Sequence, residues 1–320
     1  MNGAGESASD GALTRVWDLQ SRWSQAAGNL KDSLFRARKG ALWLTVAAAI
    51  LATSGVQIAE LSPLWGRILA AASALSVALV TAVQRATSRK RVQDWTRARS
   101  VSEGLKAEVF RFMAGVAPYR GEDRVAVFTR NADRILGDAD DLTRFTIGIR
   151  PVQRPLPNVS DVGSYIAERV RKQIDTYYRP QSEAMKHRAD RYRVVINVLA
   201  VVALLLGSAA TVTGRQQFAA WAPVVTTVIA AVAAHGAANR YDALALEYAR
   251  TYEQLERLLL ERPSDASPDR QQADDRFVAA AEAVISVQNE SWMARNVAAV
   301  DGEEGNGKPE PNTEEPPAGS

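Results

Sequence analysis

Ser73, Ser76, Thr81 and Gln84 lie in a stretch of sequence, residues 68 to 84, that has no charged side chain. At about 100° of rotation per helical residue they share one face about 140° wide. Their hydroxyls and amide could line a path for water and ions, or they could hydrogen-bond across a helix contact. Ala70, Ala74, Ala78 and Ala82 recur every four residues in the same stretch, a spacing of small side chains that lets two helices approach closely and favours the packing role. Thr226, Thr227, Ala230, Ala234, His235 and Ala238 repeat the pattern in residues 216 to 239. Asn197 and His235 are the most polar side chains in their stretches. In hydrocarbon they should point at protein or water, or reach the headgroup layer from a helix end.

Chemistry of the enzymatic kind has little to work with. The chain has no cysteine, so it forms no disulfide, thiolate nucleophile, iron–sulfur site or cysteine zinc site. Its only histidines are His187 and His235, too few for the usual imidazole constellations. No GxxxxGK[ST] loop, GxSxG elbow or HExxH helix is present. Asp140 with Asp141, and Asp274 with Asp275, are adjacent on helices and point about 100° apart, so they read as solvated faces or first turns rather than as convergent catalytic pairs. The expectation is a protein without catalysis, cofactor or metal. The charge-free stretches also lack any acidic or basic carrier, which argues against ion-coupled transport.

The elements that must position these side chains are the stretches themselves. Four runs without charge, at 41 to 59, 68 to 84, 194 to 214 and 216 to 239, fall within or at the edge of the length that crosses a bilayer core about 30 Å thick. Short polar turns, one with Glu60, Pro63 and Arg67 and one at Gly214 and Arg215, join them into two antiparallel hairpins. Basic residues crowd the other ends: Lys31, Arg36, Arg38 and Lys39; Arg85, Arg89, Lys90, Arg91, Arg97 and Arg99; Lys186, Arg188, Arg191 and Arg193; and Arg240. This asymmetry predicts both termini and the long middle segment on the cytoplasmic side, with the lipid bilayer as the basic clusters' neighbour and no direct contact to nucleic acid. The first run follows forty residues, so it is not read as a cleavable leader. The fold expected is all-α, an integral membrane protein with two transmembrane hairpins and long cytoplasmic helices. A soluble helical protein with the same runs buried is the competing possibility.

The cytoplasmic parts repeat one plan. Trp95, Ala98, Ser102, Leu105, Val109, Phe112 and Val116 are spaced as one packing stripe of a helix, followed by helix over roughly 123 to 145. Tyr241, Leu244, Tyr248, Tyr252, Leu255 and Leu259 form a matching stripe, followed by helix over 270 to 298. The offset near 150 residues suggests a duplicated module. The expected organisation is an unstructured 1–12, a first two-span module at 13–145, a proline-rich linker at 146–159, a second two-span module at 160–300 and a disordered acidic tail at 301–320. Ser160 or Asp161 should cap the first helix of the second module, and Pro180 should break or kink it.

The second half resembles the SLATT domains, two-span membrane effector modules related to DUF4231 proteins. The resemblance rests on Tyr165, Arg169, Gln173, Tyr177, Tyr178 and Ala184, on Tyr192 and Arg193, on Tyr248, Tyr252, Glu253 and Leu255, and on Glu282, Asn289, Glu290 and Trp292, in that order. It covers about 158 to 297, and the order Trp17, Trp23, hairpin, Trp95 resembles a more divergent copy. It implies a homo-oligomer in the bacterial inner membrane that serves in conflict systems and is proposed to perforate the membrane when a nucleotide-signalling or sensor partner protein is triggered. A non-catalytic scaffold or sensor whose hairpins only anchor partners stays open beside it.

Overall fold

The computed structural model describes residues 2–85, 87–262 and 269–286 and is mainly helical, with no strand among the described residues. Helix α1, Asn2–Ala59, runs unbroken from the polar N-terminal part through the first charge-free run. The first dozen residues, expected to be unstructured, instead begin this helix, and Ser9 and Leu13 are buried. Burial of Leu13, Val16 and Trp17 against the rest of the module supplies what their glycine-rich surroundings do not.

Ala59 ends α1, Leu61 and Ser62 N–H bond back to Ile58, and α2, Pro63–Arg85, starts on a proline whose missing N–H would be unpaired in a first turn anyway. The hairpin is tight because two glycines meet. A Cβ on Gly66 would fall 2.5 Å from Ala59 Cβ, and one on Gly55 would fall 3.2 Å from the Gly66 carbonyl.

Helix α3, Arg89–Met113, then returns along α1, and Gly115, at φ 65°, turns the chain out of it. The seven residues of its predicted stripe are all buried. Helix α4, Arg124–Gly137, is shorter than expected, and Asp140–Phe145 is a separate 3₁₀ turn. Trp17, Trp23, Trp95, Leu105, Phe112, Phe128 and Leu142 centre this first core.

Residues 149–159 are extended and lie on α1: Gln25 donates to the Arg150 carbonyl at 2.9 Å, and the Arg154 guanidinium sits 5.0 Å from the Trp17 ring. Asp161 caps α5, accepting from Ser164 N–H at 2.7 Å while Ser164 Oγ accepts from Asp161 N–H at 3.0 Å. Helix α5, Val162–Thr213, continues for 52 residues into the third span, so Pro180 does not break it. Two stretches before the proline, Ile166–Arg171 and Ile174–Tyr178, are wound as π-helix, and Arg179 N–H bonds the Ile174 carbonyl five residues back. The wider turn gives the proline ring room that a regular turn denies it.

Gly214, at φ 65°, ends the helix. The fourth run is not one helix: a single turn at Gln216–Ala219 precedes α6, Ala222–Asn239, because Pro223 fixes a new helix start. Arg240, left-handed at φ 51°, separates α6 from α7, Tyr241–Glu261. Helix α8 covers 270–286, and the part of its expected range beyond 286, like the acidic tail, lies outside the described residues. The second stripe is less covered than the first: Leu255 is buried, while Tyr248, Tyr252 and Leu259 are half-buried against the second core.

Among the described residues, four helices are long and apolar enough to cross a membrane, with mean hydropathy of 1.6 to 2.4 in their most apolar windows. Trp43 and Trp65, at opposite ends of the first hairpin, are exposed, as are Leu75, Leu79, Val198, Leu204 and Leu205. Aromatic rings at the ends and aliphatic side chains between them are the composition a bilayer solvates. The element order of the first half (long helix, apolar helix, polar helix, short helix) recurs in the second.

The glycine crossing yields a paired prediction. Gly66→Ala should lower the thermal midpoint of the chain in mild detergent, because overpacking costs about 1–3 kcal/mol. Gly207→Ala, whose Cβ meets nothing within 4 Å, should leave it unchanged or raise it by the helix propensity of alanine. Equal effects at the two positions would refute the tight crossing.

Candidate functional site

Of the residues that carried the family resemblance, Tyr165, Arg169, Gln173, Tyr177, Tyr178 and Glu282 gather where the two halves meet. Arg169, on α5, is 1% exposed and forks onto Glu282 of α8: Nε donates to Oε1 and Nη2 to Oε2, both at 3.0 Å. Tyr165, one turn earlier and fully buried, donates its hydroxyl to the same Oε1 at 3.0 Å. The first module closes the site: the Phe110 ring lies 5.0 Å from the guanidinium, and Glu103 Oε2 is 3.8 Å from Nη2. Burial pulls the Arg169 pKa down and is outweighed by Glu282, so it stands above the ordinary arginine value. Burial and then Glu282 push the Tyr165 hydroxyl well up, keeping it a donor.

One helical turn toward the membrane, Gln173, Tyr177 and Tyr178 line a cavity of about 320 Å³ together with Lys31, Arg99 and Lys106. Arg99 Nη2 donates to Tyr177 Oη at 3.1 Å. Burial raises the Tyr177 pKa, but Arg99 outweighs it and the hydroxyl lies below the usual tyrosine value, a sign of positive potential in the cavity. Burial lowers Lys106 in spite of Glu103 beside it. Glu103 is held below the carboxylate range because Lys106, Arg169 and Arg99 together outweigh its own burial. Tyr178 is buried beneath this layer, and burial raises its hydroxyl. Glu253, by contrast, is exposed on α7, and Glu290 and Trp292 lie outside the described residues.

The polar residues of the spans do not form one cluster. Ser73 is buried and donates across the first hairpin to the Ala48 carbonyl at 2.9 Å, which is the packing role. Ser76 is half-buried and bonds Ala72 O of its own helix, while Thr81 and Gln84 are exposed. Thr226 and Thr227 are exposed and bond their own helix at Ala222 and Pro223, and Asn197 is exposed on α5. His235 is half-buried and stacked on Tyr192, with ring centroids 5.8 Å apart, and Tyr192 stacks on Tyr241 at 5.4 Å. Arg38 reaches across the halves here, donating to the Ala238 carbonyl at 3.0 Å. Sequence reading took Arg38 and Arg99 only as basic flanks of the spans and missed Glu103, which lies on α3 outside the counted stripe.

This arrangement defines a tandem two-span helical membrane protein with a charged, aromatic-lined seam on one side of its spans. Residues 165–292 match the family model described as SMODS and SLOG-associating 2TM effector domain 1 (SLATT_1), and residues 21–126 match DUF4231, a family described as of unknown function. The chain thus carries a SLATT-type domain in its second half, and its first half, with a hairpin of its own, is consistent with a second copy. No curated protein and no solved structure matches it.

Two predictions follow from the fork. Arg169→Met leaves the Glu282 carboxylate buried without its cation, a loss of about 3–5 kcal/mol, which corresponds to a drop on the order of 10 °C in thermal midpoint; Arg169→Met with Glu282→Leu should recover much of it. An additive double variant would rule out the coupling. Because the folded pKa of Glu103 is depressed, its contribution is present above the ordinary carboxylate range and fades as pH falls through that range and below. Glu103→Gln should therefore flatten the acid side of the stability profile, measured as thermal midpoint against pH.

Proposed function

We propose that the chain is a pore-forming effector of a bacterial conflict or antiviral defence system. It assembles as a homo-oligomer in the inner membrane with both termini cytoplasmic, without catalysis or cofactor. A sensor or nucleotide-signalling partner acts on its cytoplasmic helices. The observation that carries this reading is the pair of uncovered faces on the second and fourth spans. Ala70, Ala74, Ala78, Ala82, Thr81 and Gln84 are all exposed, as are Thr226, Thr227, Ala230 and Ala234. In a lone copy these small and hydroxylated faces would meet lipid. Side by side, several copies can bring them together, small residues allowing close approach and hydroxyls supplying polar lining.

Gating follows from continuity. Helices α1 and α5 pass from the cytoplasmic cores into the spans without a break, so a shift at the cores is carried into the membrane. The resting arrangement is closed, since constitutive opening would depolarise the host, and a partner that binds the open arrangement better shifts the population toward it. The name of the matching family, an effector domain associated with SMODS and SLOG, supports a signalling partner.

Expression in bacteria with a potential-sensitive dye tests this. Triggered depolarisation is expected, and Thr81→Arg or Thr227→Arg should alter conductance without loss of the protein from the membrane. An intact potential under every trigger, or arginine variants that leave ion flow untouched, would favour a scaffold that only anchors partners.

A further inference from the structure

Beside the seam, at the mouth of the hairpins, lies a cavity of about 330 Å³ that the pore reading does not use. Its walls come from four places in the chain: α1 gives Lys31 and Arg38, α3 gives Trp95 and Arg99, α5 gives Arg188, and the junction of α6 and α7 gives Arg240. Five lining side chains are cationic, and Asp32 alone is acidic.

Retention of basic residues near span ends explains cations on a solvated surface. It does not explain their convergence. Arg99 is half-buried, 14 residues beyond the end of α2, yet it faces the same cavity as Arg38, Arg188 and Arg240 from three other elements. Cations gathered in a cleft with low-dielectric walls repel one another, and the field they focus is relieved by an anion. Arg99, hydrogen-bonded to Tyr177 in the same cavity, holds that hydroxyl below the usual tyrosine value against its burial.

We propose that this cleft binds a phosphate-bearing anion, presented either by the headgroup of an acidic phospholipid entering from the leaflet beside the spans or by a soluble phosphorylated molecule. Guanidinium forks match phosphate oxygens in pairs, and an ammonium at Lys31 adds a point charge. The rings of Phe35, Trp95 and Tyr248 line the same cavity and offer apolar surface to the rest of the ligand. An occupant would touch both halves at once and so tie them at the mouth. The site rests on the cavity alone and holds whether or not the spans conduct.

Calorimetric titration of the full-length chain in uncharged detergent tests it, with inorganic pyrophosphate in one arm and short-chain phosphatidylglycerol in the other. Saturable binding is expected in at least one arm. Lys31→Gln with Arg188→Gln should weaken it at least tenfold; both side chains are exposed, so folding is spared. Lys90→Gln with Lys186→Gln, equally charged and outside the cavity walls, should leave it within twofold. Saturation by pyrophosphate assigns a soluble ligand, and saturation by phosphatidylglycerol alone assigns the lipid. No saturation in either arm, or the same loss in both variant pairs, overturns the site.

Discussion

A guanidinium buried in an apolar core is costly unless its partners are fixed in place, and Arg169 sets that condition for the chain. Its fork accepts one partner geometry, so α8 must present Glu282 at the right height along α5. Tyr165 completes the carboxylate's hydrogen bonds, and Phe110 and Glu103 bring in α3 from the other half. An apolar interface can slip by a turn at modest cost. A slip here would leave a buried charge unpaired, so the fork acts less as glue than as a register pin between α5 and α8, against which α3 of the first half is set through Phe110 and Glu103.

That pin explains why α3 has two faces. Leu105, Val109 and Phe112 belong to the first core, whereas Phe110 and the following Ala114 and Val116 belong to the second. The helix is a shared wall, and neither core is complete without it. From the fork, α5 continues to Arg193 at the span's edge, 24 residues or roughly 36 Å at the rise of an α-helix. The second tie lies there, where Arg38 bonds the Ala238 carbonyl and Tyr192 stacks between His235 and Tyr241. The cationic cleft adjoins the second tie and shares Arg38, Ala238 and Tyr241 with it, and the π-wound stretch Ile174–Tyr178 of α5 lies between the two ties.

Most of the architecture was legible because its causes are local. Absence of charge over twenty residues has one usual explanation, stripes at helical spacing report a buried face, and Asp161 with Ser164 is a cap readable from four residues. What escaped was set by partners far away. Glu282 is 113 positions from Arg169, and nothing local says that they pair. Glycine-rich residues 2–12 read as unstructured because their helix is held by tertiary burial. The broken start of the fourth span was hidden because Ala220 and Trp221 suit a helix, and only Pro223 signalled a new beginning. Counting one stripe on α3 concealed its second face, and with it Glu103 and the inward placement of Arg99, which reads in sequence only as a basic flank.

The halves share a plan but differ in slack. In the first hairpin Gly55 and Gly66 meet at backbone distance and Ser73 bonds across to Ala48, so its helices can neither separate nor rotate without losing contacts. In the second, none of the most apolar window of α5 is buried, Gly207 meets nothing, and a stray turn intervenes before α6. Packed interfaces switch between discrete arrangements rather than deforming, so the freedom to repack lies where packing is least committed. On the proposed reading the first hairpin is the fixed reference, and the second, pinned at Arg169 and at the mouth but loose in between, is the one whose arrangement a signal can change.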